Sequence, residues 1–200
     1  MTVGAVESRY IEAIMKRLSS LELFILSCFE RGLETPYDLQ RRVGLSLGAT
    51  SPALKRLLKG GMLKRATGTT ATKRPRHAYS LSAEGKRFAR NGWKDYLDDP
   101  VPPSDLDSFL RILDMAVYNK AKKATVIAFM LRGVASRSHA ADVSAVTGDQ
   151  RWSGEDRWSY PYLRGRFEQQ RLLSEVTTLS QILTQFKKNP PPKMVQQSLH

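Results

Sequence analysis

The chain has almost no cysteine: Cys28 is the only one in 200 residues. A single cysteine cannot form a disulfide framework within the chain or a cysteine-rich zinc site. Cys28 lies in the apolar segment LELFILSCFERG, where a thiol usually serves as a small buried hydrophobe. We therefore expect a buried, unreactive thiol rather than a redox sensor.

The sequence also lacks a long hydrophobic run. No segment approaches the roughly 18 consecutive apolar residues of a transmembrane helix. Residues 1–18 carry acidic and basic side chains where a signal peptide needs an apolar stretch. At 41% hydrophobic content the chain can still bury a core. We therefore expect a globular, cytoplasmic protein with no membrane partner.

Catalytic and cofactor motifs are missing as well. The chain has no glycine-rich phosphate loop, no pair of carboxylates at a suitable spacing and no nucleophile matched with a base. His77 and His139 belong to no recognisable catalytic or metal-ligating pattern, and His200 is the last residue. We expect no enzymatic activity, no metal and no cofactor.

Acidic residues are scarce in one long segment. From Arg41 to Lys94 the sequence has fourteen lysines and arginines and one acidic residue, Glu84, so this segment carries +13, the charge of the whole chain. Within it, GATSPALKRLLKGGMLKR has five basic residues and no acidic one. A solvated helix surface usually mixes both signs, because like charges one turn apart repel. The segment therefore predicts a surface that binds a polyanion.

Apolar periodicity and capping residues predict four helices in the first sixty residues. Val6, Tyr10, Ile14 and Leu18 recur at four-residue intervals, which is typical of one face of an amphipathic helix. Serine, threonine, proline and glycine then mark the starts and ends of three more helices. The four predicted helices cover residues 5–18, 20–31, 35–44 and 48–59.

The next segment predicts a hairpin and a further helix. MLKRA and RHAYSLS have the alternating pattern of short strands, and the basic segment between them has no apolar periodicity. After Ser82, a suitable N-cap, AEGKRFARNGWKDYL predicts one continuous helix. This order of elements indicates a helix-turn-helix followed by a hairpin with a long basic tip.

The second half of the chain predicts a helical domain. The proline-rich segment DDPVPPSD marks a border that no helix crosses easily, and three helices are predicted beyond it. In the last, over residues 159–187, a heptad pattern predicts contact with an identical helix of a second chain. Its residues are Leu172, Val176, Leu179, Leu183 and Phe186. The predicted domains are 1–18, 19–98 and 104–188, followed by a disordered tail over 189–200.

An aromatic cluster, RWSGEDRWSYPY, lies between the last two predicted helices. Aromatic side chains with charged neighbours can line a pocket for a small-molecule effector. They more often anchor a loop to its domain. The sequence favours anchoring and leaves an effector open.

Two motifs in the basic half form a known pattern. The first lies in the predicted helix over 48–59 and consists of Gly48, Pro52, Ala53, Leu54, Lys55, Arg56 and Leu57. The second follows at the hairpin and consists of Arg74, Arg76, Tyr79, Leu81, Ser82 and Gly85. With both motifs the chain resembles the winged-helix domain of the PadR-like transcriptional regulators over residues 21–97. Pro36 and Ser51 stand where that family usually has glycine and tyrosine.

The resemblance implies a fold and a function. The fold is mainly α with a small β-hairpin wing: a winged helix-turn-helix domain followed by an α-helical C-terminal dimerisation domain. The function is that of a sequence-specific DNA-binding regulator, a repressor that acts as a homodimer. The PYDL segment falls where the family has Gly-Tyr-Glu-Leu, which adds Tyr37 to the residues of interest.

The expected partner is double-stranded DNA. A helix-turn-helix places the N-terminal end of its second helix in the major groove. Hydroxyl groups there can bond base edges or phosphate, and basic side chains of the helix and wing can bind phosphate or guanine. The predicted DNA contacts are Tyr37, Thr50, Ser51, Lys55, Arg56, Lys59, Lys73, Arg74 and Arg76.

Two other functions remain open at this level. The basic face could bind an acidic protein, with the winged helix serving as an interaction module. It could also bind nucleic acid without sequence preference, although the wing has no aromatic platform on which bases could stack.

Overall fold

The computed structural model describes residues 18–68, 76–150 and 160–189. This part of the chain is mainly helical and has one two-stranded antiparallel sheet, which confirms the predicted fold class. It forms two compact units that divide between Asp95 and Tyr96. The predicted helix over 5–18, apart from Leu18, and the predicted tail beyond Asn189 lie outside the described residues.

The first unit contains three helices, then a hairpin, then one further helix. Another short helix crosses the division between the units. The elements are α1 (Ser20–Glu30), α2 (Pro36–Val43), α3 (Leu47–Lys59), β1 (Leu63–Gly68), β2 (Arg76–Leu81), α4 (Ala83–Asn91) and α5 (Lys94–Asp98).

Helix α1 lies at the centre of the first unit. Nine of its eleven residues are buried, including Cys28, as expected for an inert thiol. Its start is fixed by a capping box: the Ser19 hydroxyl accepts from the Glu22 amide, and the Glu22 carboxylate accepts from the Ser19 amide. The apolar sequence therefore produces a core helix, and Glu22 is one of its few polar residues.

Helices α2 and α3 form the predicted helix-turn-helix. Thr35 caps α2 and Pro36 occupies its first turn, where a missing amide hydrogen does no harm. Gly44 ends the helix with φ of 75°, a left-handed conformation that favours glycine. Leu39 of α2 and Leu57 of α3 are both buried, so their apolar faces contribute to the same core.

The hairpin contacts the rest of the first unit through both backbone and side-chain groups. Leu63 pairs with Leu81 and Gly68 with Arg76 in the antiparallel register. The Tyr79 amide donates to the Glu34 carbonyl at 2.8 Å, and its ring stacks on Phe29. These contacts fix where the wing leaves the domain.

The prediction of one continuous helix after Ser82 is wrong. Helix α4 ends at Asn91, and α5 begins at Lys94. Trp93 turns into the core, and its indole N–H donates to the carbonyl of Arg90 at 2.8 Å, which caps the end of α4. Gly92 follows α4 and is closely packed, because a Cβ there would lie 2.5 Å from Leu23 Cδ2 and 3.0 Å from the Phe88 carbonyl oxygen.

The second unit is built from α6 (Leu106–Tyr118), α7 (Lys123–Gln150) and α8 (Tyr160–Lys188). Helix α7 extends well beyond the segment ATVIAFMLRGV that predicted it. Helices α7 and α8 pack antiparallel, since Arg137 pairs with Glu175 and Lys123 reaches the carbonyl of Lys187. Arg137 is buried, lies over Phe109 and also donates to the Gly133 carbonyl.

The predicted dimer seam is largely used within this unit. Leu172, Leu179 and Leu183 are buried in the single chain, so the prediction that they face an identical helix is wrong. Val176 and Phe186 are half-buried. A heptad pattern reports that a helix packs against another helix, and here the partner is α7 of the same chain.

Candidate nucleic-acid interface

Helix α3 has a buried side and a solvent side. Its inward stripe consists of Thr50, Ala53, Leu54 and Leu57, at the spacing of three and four residues that places side chains on one face. We call the exposed side the outward face of α3. It consists of Leu47, Gly48, Ala49, Ser51, Pro52, Lys55, Arg56 and Lys59.

Charge is distributed unevenly along the outward face. Its N-terminal half, Leu47 to Pro52, carries no charged side chain, whereas Lys55, Arg56 and Lys59 make the C-terminal half entirely basic. Helix α2 adds the exposed Arg41 and Arg42 in its last turn. An anion held beside these helices would therefore meet cations towards the end of α3 and neutral groups at its start.

Tyr37 lies on the exposed surface of α2, with 61% of the residue accessible. A phenol ring so exposed is available to a partner through both its apolar face and its hydroxyl group. Its predicted role as a DNA contact remains a prediction, and its exposure is compatible with it.

The prediction that Thr50 contacts DNA is wrong. The residue is 0% exposed, and its hydroxyl donates to the backbone carbonyl of Ser46 at 3.0 Å. Position 50 belongs to the inward stripe, one turn before Ala53 and Leu54. Ser51 is the neighbour that the helix turns outward.

Arg56 forms an ion pair with the buried carboxylate of Glu22. Its Nε donates to Glu22 Oε1 at 2.6 Å, and the side chains are 60% and 5% exposed, respectively. Glu22 Oε2 accepts from the amide and the hydroxyl of Ser19, at 2.8 and 2.9 Å. A guanidinium has five N–H donors, so Arg56 can bind Glu22 and still present donors to an external anion.

The environment of Glu22 keeps its carboxyl group ionised. Burial alone would raise its pKa, but the hydrogen bonds from Arg56 and Ser19 outweigh burial and hold the pKa below its usual value. Arg56 therefore faces a full negative charge on the protein side at neutral pH. The sequence shows the Ser19–Glu22 capping box, but nothing in it signals the link to Arg56.

The wing is described only at its base. Lys73 and Arg74 lie outside the described residues, and Arg76 begins β2 opposite Gly68, with no side chain described. Residues 69–75, which join the two strands, lie outside the described residues. The predicted DNA contacts of these three residues stay predictions.

Neither a metal site nor a membrane span is found where the structure describes the chain. In residues 18–68, 76–150 and 160–189, no three His, Cys, Asp or Glu side chains form a group that could hold a metal. Across those same ranges, no helix is long and apolar enough to cross a membrane. The exposed groups of the candidate interface are basic side chains, hydroxyl groups and apolar side chains.

The sequence matches no protein-family model and no curated protein. Among solved structures, the chain is similar to Bacillus subtilis PadR in complex with operator DNA. The two are 19% identical, with 82% of this chain and 96% of that chain covered and a TM-score of 0.35. Because the score is so low, we base the function on this chain's own residues.

Proposed function

We propose that the protein is a sequence-specific DNA-binding transcriptional regulator. Helix α3 enters the major groove by its N-terminal half, while Lys55, Arg56 and Lys59 meet the phosphates beside the groove. The wing, with Lys73, Arg74 and Arg76, lies along the neighbouring backbone or in the minor groove. The observation that carries this proposal is the outward face of α3, which is neutral in one half, basic in the other and free of acidic residues.

The regulator acts as a homodimeric repressor in this proposal, as the family resemblance implies. Because Leu172, Leu179 and Leu183 are buried inside the chain, we place the contact on another surface. Helix α8 exposes large apolar side chains three and four residues apart near its N-terminal end, and a contiguous exposed apolar patch is typical of an interaction surface. These residues are Tyr160, Leu163 and Phe167.

Sedimentation of the purified protein tests the dimer contact. Phe167 is 72% exposed, so Phe167→Glu is expected to leave the fold intact and to produce a monomer. Val101→Glu is the matched control, because Val101 is also 72% exposed but lies in the segment before α6. A wild-type chain that is monomeric at micromolar concentration and still binds its site fully contradicts the dimer.

Selection from a random-sequence duplex library tests the DNA-binding function. The full-length protein is used, the bound fraction is sequenced, and affinity is measured at two salt concentrations. An enriched, roughly palindromic site with half-sites about one helical turn apart, or a multiple of it, supports a dimeric regulator. Salt-dependent binding without an enriched motif contradicts sequence specificity and favours a non-specific binder. No binding contradicts the proposal and favours an acidic protein partner.

A further inference from the structure

The N-terminal half of the outward face of α3 offers very few hydrogen-bonding groups. We call Leu47, Gly48, Ser51 and Pro52 the α3 tip. All four are exposed, and the Ser51 hydroxyl is the only polar side-chain group among them. The neighbouring hydroxyl of Thr50 is committed to the Ser46 carbonyl. A tip so composed cannot read a base sequence mainly through hydrogen bonds.

Leu47 is an apolar side chain placed where a partner can reach it. It begins α3 and is 47% exposed, although Leu45, two residues earlier, is buried. In the major groove the one apolar group that identifies a base is the C5-methyl of thymine. The chemistry of Leu47 therefore matches a thymine better than any other base.

Gly48 has no structural reason to be glycine within the described chain. Its φ is not positive, and a Cβ built there meets nothing within 4 Å. Glycine in a helix is less favourable than alanine, so neither the backbone nor packing accounts for its presence. The missing side chain leaves space for an external surface to come close to the helix backbone.

The basic residues beside the α3 tip favour DNA, a polyanion, as that external surface. The α3 tip is continuous with Lys55 and Lys59, which lie one and two turns further along the same face. A duplex seated on α3 would place phosphates against these cations and base edges against the tip. This step rests on the proposed DNA-binding function.

We propose that the α3 tip reads thymine methyl groups in the major groove. Leu47 and Pro52 contact the methyls, and Gly48 permits the helix backbone to approach them. Lys55 and Lys59 supply affinity without sequence preference. The half-site recognised by this protein therefore contains at least one thymine whose methyl group contributes to binding.

Replacement of thymine by deoxyuridine tests the proposal, because uracil lacks only the methyl group and still pairs with adenine. Wild-type protein is titrated with the duplex selected from the library and with the same duplex carrying deoxyuridine at the half-site thymines. Loss of one buried methyl contact corresponds to roughly a fourfold loss of affinity. We expect at least that ratio between the two duplexes.

Two variants separate methyl reading from general weakening. Leu47→Ala is expected to weaken binding to the thymine duplex and to lower the affinity ratio towards one, because only the contact of Pro52 with the methyl groups remains. Lys55→Ala is the control: it weakens binding to both duplexes equally and leaves the ratio unchanged. Both residues are exposed, so neither change disturbs the core.

The outcomes distinguish this inference from the function on which it rests. Tight binding to the selected duplex with a wild-type ratio of one overturns thymine reading but leaves the regulator intact. A selected half-site without thymine does the same. Absence of binding to any duplex overturns both.

Discussion

Glu22 Oε1 accepts a hydrogen bond of 2.6 Å from Arg56 Nε, which joins the first turn of α1 to the last turn of α3. The carboxylate is buried and the guanidinium is largely exposed. The core helix therefore fixes the position of a cation on the outward face of α3. The same carboxylate closes the capping box with Ser19, so one side chain serves both contacts.

Replacement of Glu22 by glutamine should destabilise the first unit. The amide keeps the size of the side chain but removes the charge that binds Arg56, and one lost charged hydrogen bond corresponds to about 1.5–3 kcal/mol. Urea unfolding of wild type and Glu22→Gln measures the difference. Glu34→Gln is the control, because the Glu34 side chain is exposed and should change stability by less than about 0.5 kcal/mol. Equal losses in both variants would contradict the role of Glu22.

Acid should reduce the advantage that Glu22 provides. Its pKa is lower in the folded chain than its usual value of 4.5, so its stabilising effect is complete well above pH 4.5 and is lost as the pH falls through the folded value. Stability is measured from pH 7 to pH 3 for wild type and Glu22→Gln. Other carboxyl groups titrate in both proteins, so the difference reports Glu22. A difference that stays constant over this range contradicts the account.

Thr50 and Ser51 should respond in opposite ways to loss of their hydroxyl groups. Thr50→Val removes a buried hydrogen bond to the Ser46 carbonyl, so we expect about 1 kcal/mol of lost stability and unchanged DNA affinity. Ser51→Ala removes an exposed hydroxyl, so we expect unchanged stability and weaker DNA binding. Thermal unfolding and duplex titration check both. If Thr50→Val remains folded but loses DNA affinity, while Ser51→Ala keeps its affinity, the inward assignment of Thr50 is wrong.

The basic residues of the wing should contribute to the salt dependence of binding. Replacement of Lys73, Arg74 and Arg76 by alanine removes up to three phosphate contacts, each of which accounts for about 0.9 of the slope of log affinity against log salt. We expect weaker binding and a slope that is shallower by up to about 3. Titration at several salt concentrations measures it.

A matched variant separates wing contacts from net charge. Lys122, Lys187 and Lys188 are exposed lysines of the second unit, and their replacement by alanine removes the same charge. The slope should be nearly unchanged in this control. If both triple variants lose the same slope, the wing has no special part in binding.

Gly85 should tolerate no side chain. A Cβ there would lie 2.2 Å from the backbone oxygen of Met62, which also accepts hydrogen bonds from the amide and hydroxyl of Ser82. Forced overpacking of this kind usually costs about 1–3 kcal/mol, so Gly85→Ala should lower the melting temperature. Gly48→Ala has open space around it and should leave the melting temperature unchanged or slightly higher. An unaffected Gly85→Ala variant would show that α4 and the start of β1 can separate.

Local signals predicted most of the first unit. Thr35, Pro36 and Gly44 each act within a few residues of the helix end that they determine, so their effect can be read directly from the sequence. The break at Gly92 was missed, and the close packing of Gly92 against Leu23, which lies far away in the sequence, was not visible in the local pattern either. A pattern within one segment cannot report a contact with another.

The same limit applies to the candidate interface. Exposure of Lys55 and Ser51 follows from helical periodicity, whereas the inward position of Thr50 required a choice between adjacent residues on the edge of the apolar stripe. The heptad in α8 correctly indicated a packed helix but not which helix it packs against. The Glu22–Arg56 pair joins residues that are 34 positions apart, and no local pattern connects them.

The most direct test is titration of a labelled duplex with the full-length protein, in wild-type form and as the double variant Lys55→Ala/Lys59→Ala. The account predicts salt-sensitive binding by wild type and a large loss of affinity in a variant that remains folded, because both lysines are exposed on the outward face of α3. Binding that is unaffected by loss of both lysines would contradict the central claim that this face holds DNA.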